Sequence, residues 1–248
     1  MQVLPVLPEL EGRCPWGWLG AAHRVSRWLT RPAPALMRRT PSDLGLSWQP
    51  LECRTDDGHR LAGWVAGPAR PQGTVLLFHG LRRNREQLLE RMAMLARAGF
   101  RAAAFDHRAH GESSGWRTSL GYRESEDVAA VLRLAEQCWP EGPKAAWGVG
   151  LGAAALCFAA RQARRLDAVV LESIYPGFAA LEPERPDLPA WLREFSRLVL
   201  RVTERRLGLR IGGPTPDRRV GELAPASVLV ENQDEMRVLE FLKCSLAV

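Results

Sequence analysis

An α/β protein with a mostly parallel central sheet and helices on both of its faces is predicted by two features of this sequence. Short, uninterrupted apolar runs recur, among them TVLLF at 74–78, RAAAF at 101–105 and AVVLES at 168–173. Between them lie segments whose apolar residues fall at helical spacing, so that the two patterns alternate along the chain. Parallel strands buried on both faces read as continuous apolar runs, and the crossover helices between them supply the two covering layers.

Taken in order, residues 1–45 form a distinct basic arm, with Trp16, Trp18 and Trp28 among Arg13, Arg24, Arg27, Arg31, Arg38 and Arg39. Leu19, Ala22, Val25 and Leu29 share one helical face there, while His23, Arg24, Arg27 and Arg31 point elsewhere. Such an arm suits either a helix lying on anionic lipid or one packed on its own domain, and its short, proline-bounded length favours packing.

From residue 46, LSWQPLECRT and RLAGWVAGP flank Asp56, Asp57 and Gly58 and predict two antiparallel strands. TVLLF ends in His79-Gly80, after which Leu88, Leu89, Met92, Leu95 and Ala96 predict a helix over 84–98, stopped by Gly99. RAAAF follows, then a helix marked by Val128, Val131, Leu132 and Ala135, the strand AAWGV, a helix over 151–164 and the strand AVVLES. Residues 176–226 break this rhythm with repeated prolines around one helix carrying Leu192, Phe195, Val199 and Val202, and are read as a small helical cap. SVLVE at 227–231 resumes the strand pattern, and Met236, Leu239, Leu242 and Leu246 predict a closing helix. The organisation expected is an arm over 1–45 and one domain over 46–248, with 176–226 inserted as the cap.

Composition narrows the function classes. Hydrophobic residues at 46% and charged residues at 25% of 248 suit one large globular domain. The net charge of +6 comes from scattered arginines without an aromatic platform or reading motif, so no nucleic-acid partner is expected. The cysteines at 14, 53, 138, 157 and 244 form no C-x-x-C pair and no disulfide framework, and are read as reduced and mostly buried, with no metal or cofactor expected. Pro5, Pro8, Glu9 and Glu11 interrupt the start before a signal peptide could form, which makes a cytoplasmic location the expectation.

Three blocks carry the chemistry: FHGLRRNRE at 78–86, FDHRAHGESSG at 105–115 and WGVGLGAAA at 147–155. Together they resemble the α/β-hydrolase family, most closely its esterase, lysophospholipase and serine-aminopeptidase-like branch, over roughly residues 46–238. The resemblance implies an α/β-hydrolase fold and ester or amide hydrolysis by a serine nucleophile. It implies an oxyanion hole from the backbone N–H groups of Leu81 and Leu151. Asp106, Arg108, His110, Gly111 and Ser113 match a structural loop of the family, with Ala109 in place of a glycine. Gly121, Glu124 and Asp127 match its approach to the next helix.

The nucleophile elbow departs from the family. It reads Gly148-Val149-Gly150-Leu151-Gly152, so Gly150 stands where the serine belongs and no side-chain oxygen is present to attack a carbonyl. After the last strand, ENQDEMRV at 231–238 puts Glu235 at the position of the catalytic acid, with Asp234 one residue away as the alternative; both also read as solvated helix-start carboxylates. The last histidine is His110 and thirteen residues follow Glu235, so the family's C-terminal histidine is missing and the fold is expected to be C-terminally truncated. The preferred reading is a hydrolase-family pseudoenzyme. One rival is an active serine hydrolase with a displaced nucleophile (Ser113, Ser114 or Ser173) and His107 or His110 as base. A second is a noncatalytic binding or scaffold protein taking a small acyl or carbonyl ligand, and a third is the product of a degraded or frameshifted gene.

Overall fold

In a computed structural model, the chain is described for residues 15–32, 36–178, 189–212, 215–224, 226–231 and 234–247. Part of the proline-rich insertion and residues 232–233 of the acid stretch lie outside that set. The chain divides into two compact units: Met1–Leu29 with Leu181–Ile211, and Thr30–Ala180 with Gly212–Val248.

The larger unit holds a seven-stranded sheet of β1 (Trp48–Arg54), β2 (Arg60–Ala66), β3 (Thr74–Phe78), β4 (Arg101–Phe105), β5 (Lys144–Val149), β6 (Ala168–Glu172) and β7 (Ser227–Glu231). Their order is β1-β2-β4-β3-β5-β6-β7. β1 pairs antiparallel with β2 and β2 with β4, and every later pairing is parallel. β3 and β6 are buried at every residue. Their side chains alternate between two cores, as the pleat requires. Leu76, Phe78, Val169 and Leu171 enter one core with α3 (Glu124–Cys138), α4 (Leu151–Phe158) and α5 (Ala160–Ala163). Val75, Leu77, Trp147 and Val170 enter the other, against α2 (Leu89–Arg97) and the closing helix over Glu235–Ser245. Helices thus cover both faces, as the alternation of runs predicts.

The helix expected over 84–98 starts as a 3-10 turn at Arg85–Leu88 and becomes α-helical at Leu89. Asn84 caps the turn by accepting from the Glu86 N–H, a local bond that holds the first turn in its tighter form. The cysteines also differ from expectation. Cys157 is buried and Cys53 partly so, and burial pushes both thiols up to about 12, whereas Cys138 and Cys244 are exposed at the last turns of their helices.

The smaller unit pairs α1 (Pro15–Leu29) with α6 (Ala190–Leu207). The two run parallel: the Trp18 ring meets Phe195 edge-on at 5.9 Å near one end, and near the other Thr203 and Arg206 both donate to the Ser26 hydroxyl, at 2.9 and 2.6 Å. Ala21, Ala22, Phe195, Val199 and Val202 are buried between them, with Val25 and Leu29 alongside. Most of the apolar face read in the arm is therefore a packing face, but Leu19 is 37% exposed because the contact is centred on Trp18, Ala22 and Val25. No described helix is long and apolar enough to cross a membrane.

Candidate functional site

From β3 the chain crosses to β4 on one side and later returns to β5 on the other, so the C-terminal ends of β3 and β5 frame the crevice of a topological switch point. His79-Gly80 leaves one end and Gly150 leaves the other. β5 stops at Val149 and α4 starts at Leu151, which makes Gly150 the single residue of a sharp strand-to-helix bend at φ 54° and ψ −102°. Its N–H donates to Glu172 O at 2.8 Å, and its own carbonyl accepts from Ala154 and Tyr175 N–H at 3.0 and 3.1 Å. The Gly152 N–H donates to His79 O at 3.1 Å, tying the first turn of α4 to the loop after β3.

The flanking glycines are steric necessities. A Cβ on Gly148 would stand 2.5 Å from Ala153 N, and one on Gly152 would stand 2.5 Å from Phe78 O. Gly150 differs, since a Cβ there would meet only Gly80 Cα at 3.7 Å and Ser173 O at 3.9 Å, ordinary contact distances. The bend has room for the side chain that the sequence omits. What a side chain would meet is backbone strain, because L residues avoid this left-handed region. Gly150→Ser is accordingly expected to lower stability by about 1 to 3 kcal/mol, read as a lower urea midpoint; a serine variant more stable than wild type would contradict this.

Leu81 follows Gly80, whose Cα lies 3.7 Å from where a Cβ of Gly150 would stand, and Leu151 follows Gly150. Leu151 is the first residue of α4, so its N–H has no acceptor within the helix, and the Leu81 N–H follows directly on the His79-Gly80 turn. Among the described residues neither amide is taken by a backbone acceptor. Gly80 and Gly150, which approach each other, directly precede these two residues, and the positive end of the α4 dipole favours a partial negative charge at the start of that helix.

His79 is fully buried; its Nδ1 lies 2.8 Å from Gly80 O and its Nε2 accepts from the His107 N–H at 3.0 Å, which places its proton on Nδ1. Burial, reinforced by the nearby His107 and His110, holds its pKa well below the usual histidine range. His110 is lowered too, mainly by burial, with Nδ1 2.9 Å from Arg108 O. His107 stacks on Phe78 and lies 3.4 Å from Asp127. His59 faces Asp57 in the turn between β1 and β2, and His23 lies on α1.

Two of the three serines weighed as displaced nucleophiles hold loops together. Ser113 Oγ donates to Asp106 O and accepts from the Ala62 N–H, and Ser114 Oγ accepts from the Arg60 N–H. Ser173 is exposed, sits beside the elbow and has φ 50°, in the left-handed region.

At the acid position, the helix over Glu235–Ser245 (α7) begins with Asp234 as its cap, accepting from the Arg237 N–H at 3.0 Å. Glu235 in its first turn lies 3.4 Å from Arg91 of α2. The same guanidinium holds Glu172 through both carboxylate oxygens, at 2.9 and 3.0 Å, and lies over the Trp147 ring, whose Nε1 donates to Glu172 at 3.0 Å. Sequence reading missed this buried network. Its signal is the carboxylate of Glu172 ending an otherwise apolar strand, which demands a cationic partner when buried.

Glu124 and the loop residues also match their expected structural roles. Buried Glu124 accepts from Thr118, Ser119 and Gly121; burial opposes its ionisation, yet these bonds hold its pKa below the usual range. Asp106 pairs with buried Arg85, and Arg108 with Asp127 and Asp57.

Comparison with known proteins agrees with the fold. The family described as serine aminopeptidase, S33, matches residues 69–239. Among curated proteins, an uncharacterized protein of Bacillus subtilis, YqkD, is 31% identical over 77 residues, which are 31% of this chain and 25% of that relative. An uncharacterized 31.7 kDa protein from the traX-finO intergenic region of Escherichia coli is 33% identical over 122 residues, 45% of this chain and 43% of the relative. The matched segments thus span less than half of either relative. Among solved structures, the Pyrococcus furiosus esterase Pf2001 superposes with a TM-score of 0.61 at 23% identity, covering 88% of this chain and 98% of that one. An alpha-beta hydrolase from Vibrio vulnificus gives 0.60 at 16% identity, covering 96% and 84%.

Proposed function

We propose, from the premise that this chain belongs to the serine aminopeptidase S33 family of α/β-hydrolases, that it binds a small acyl or carbonyl group at the elbow without cleaving it. Gly150 carries the reading. Acyl transfer begins with attack by a side-chain oxygen or sulfur at the tip of the bend, and glycine provides neither. The amides of Leu81 and Leu151, which follow Gly80 and Gly150, are the donors this reading assigns, and their hydrogen bonds would polarise a carbonyl or hold a carboxylate. Stabilising an oxyanion accelerates nothing when no nucleophile forms the tetrahedral species.

The test is covalent labelling with a fluorophosphonate serine-hydrolase probe, run beside turnover of a short-chain nitrophenyl ester. Wild type is expected to label no more than heat-denatured protein and to leave the ester at its buffer rate, while short-chain carboxylates raise its thermal midpoint. A phosphonate adduct mapped to any residue overturns the proposal. The second reading, a displaced nucleophile, is favoured at one residue only: Ser173, exposed and left-handed, its carbonyl oxygen 3.9 Å from the Cβ position of Gly150. Labelling abolished by Ser173→Ala would establish that reading instead.

A further inference from the structure

At the end of the strands opposite the elbow, a cavity of about 430 Å³ lies on the face of the sheet that α3 covers. Ladder partners share a face, so Gln49 opposite Val65, and Val65 opposite Ala103, all turn toward the core that α3 builds. Arg101 precedes Ala103 by two residues and turns the same way. α3 ends at the rim, where Cys138 and Trp139 line the cavity. Its floor is apolar yet incompletely covered. Val65 is the one residue of β2 between Leu61 and Ala66 that is not buried, and Leu51 is half-buried beside it.

Arg101 supplies the only charge in the lining. Its guanidinium lies 5.0 Å from the centre of the Trp139 ring and donates to Thr74 Oγ1 at 3.3 Å. Among the described residues no carboxylate pairs with it. Other inward arginines differ: Arg85 holds Asp106, Arg91 holds Glu172 and Arg108 holds Asp127. Burial lowers the Arg101 pKa from the usual arginine value, and among the described residues no anion counters that cost. A guanidinium carries five donors in a planar fork, so most of its hydrogen-bonding capacity is left for a partner.

We infer that this cavity binds a small organic monocarboxylate, with the fork of Arg101 holding the carboxylate and Leu51, Val65 and Trp139 receiving the apolar body. The volume falls within the roughly 300 to 1,000 Å³ of small-molecule sites, and an arginine fork matches two carboxylate oxygens. A carboxylate suits the lining better than a phosphate monoester. One cation balances one charge, and no second basic residue lines the cavity.

The test reads Cys138 at the rim, with Cys244, exposed on α7 and outside the cavity, as internal reference. Because the elbow is also expected to take carboxylates, a local readout at the opposite end of the strands separates the two sites. Iodoacetamide labelling, followed peptide by peptide by mass spectrometry, is run against phenylacetate and its neutral isostere phenylacetamide. Phenylacetate is expected to halve the labelling rate of Cys138 below about 5 mM, and to slow it roughly tenfold at about ten times that half-protecting concentration, leaving Cys244 unchanged. Phenylacetamide is expected to protect about tenfold more weakly or not at all, since it lacks the charge that Arg101 pairs. Arg101→Gln is expected to raise the half-protecting concentration of phenylacetate by the same factor. The comparison of the two compounds on wild type stands whether or not that variant folds. Cys138 labelling unaffected by phenylacetate, equal protection by phenylacetamide, or protection undiminished in Arg101→Gln would each overturn the inference.

Discussion

Gly152→Ala is expected to destabilise the protein by about 3 kcal/mol, a large effect for a single methyl group. The added carbon would sit 2.5 Å from the carbonyl oxygen of Phe78 and 2.6 Å from its Cβ. Neither neighbour yields cheaply, because the carbonyl belongs to a strand held between β4 and β5 and the ring it carries is buried. Relief requires α4 to lift from β3, which strains the bond from the Gly152 N–H to His79 O that fixes the elbow. Urea denaturation measures the loss, and a midpoint within error of wild type would show that the helix does not need this close approach. The variant touches no reactive group, so it separates the architecture of the elbow from its chemistry.

Arg91→Met should lower stability by about 3 to 5 kcal/mol, by leaving a buried carboxylate without its counterion. Methionine keeps much of the aliphatic stem over Trp147 but removes the guanidinium that grips both oxygens of Glu172. Glu172 would retain one donor, the Trp147 indole, at a site with its side chain 5% exposed. Adding Glu172→Gln removes the stranded charge while keeping an acceptor for the indole, so the double variant is expected to recover most of the loss. A recovery of less than about 1 kcal/mol would mean that the stem, rather than the charge, does the stabilising. Because Glu235 lies within 3.4 Å of the same guanidinium, the experiment also asks whether the carboxylate at the acid position has a structural duty in place of a catalytic one.

The parts legible in the sequence are those set by local pattern. Runs such as TVLLF and AVVLE are strands because nothing but burial on both faces accommodates such residues, and both are fully buried. The elbow is legible because glycine at 148 and 152 is dictated by contact distances that any such crossing imposes, whatever occupies 150. The approach of Gly80 to Gly150 follows from the pairing of β3 with β5. Other features arise from partners remote in sequence. Arg91 finds Glu172 across 81 positions, and Ser26 finds Thr203 across 177, separations at which no periodicity carries information. The arm illustrates the boundary: its helical period reveals an apolar face, but only the presence of α6 decides what that face meets and why Leu19 is left at its margin.

That distant pairing has a consequence during synthesis. The partner of α1 is made last among the helices but one, and at translation rates of about 5 to 20 residues per second the 177 positions from Ser26 to Thr203 take roughly 9 to 35 s to appear. Throughout that interval Trp18, Ala22 and Val25 have no α6 to rest on, while the strands between them emerge and begin to associate. The nascent chain therefore carries an adhesive helix face through most of its synthesis, open to other apolar surfaces until the second helix arrives.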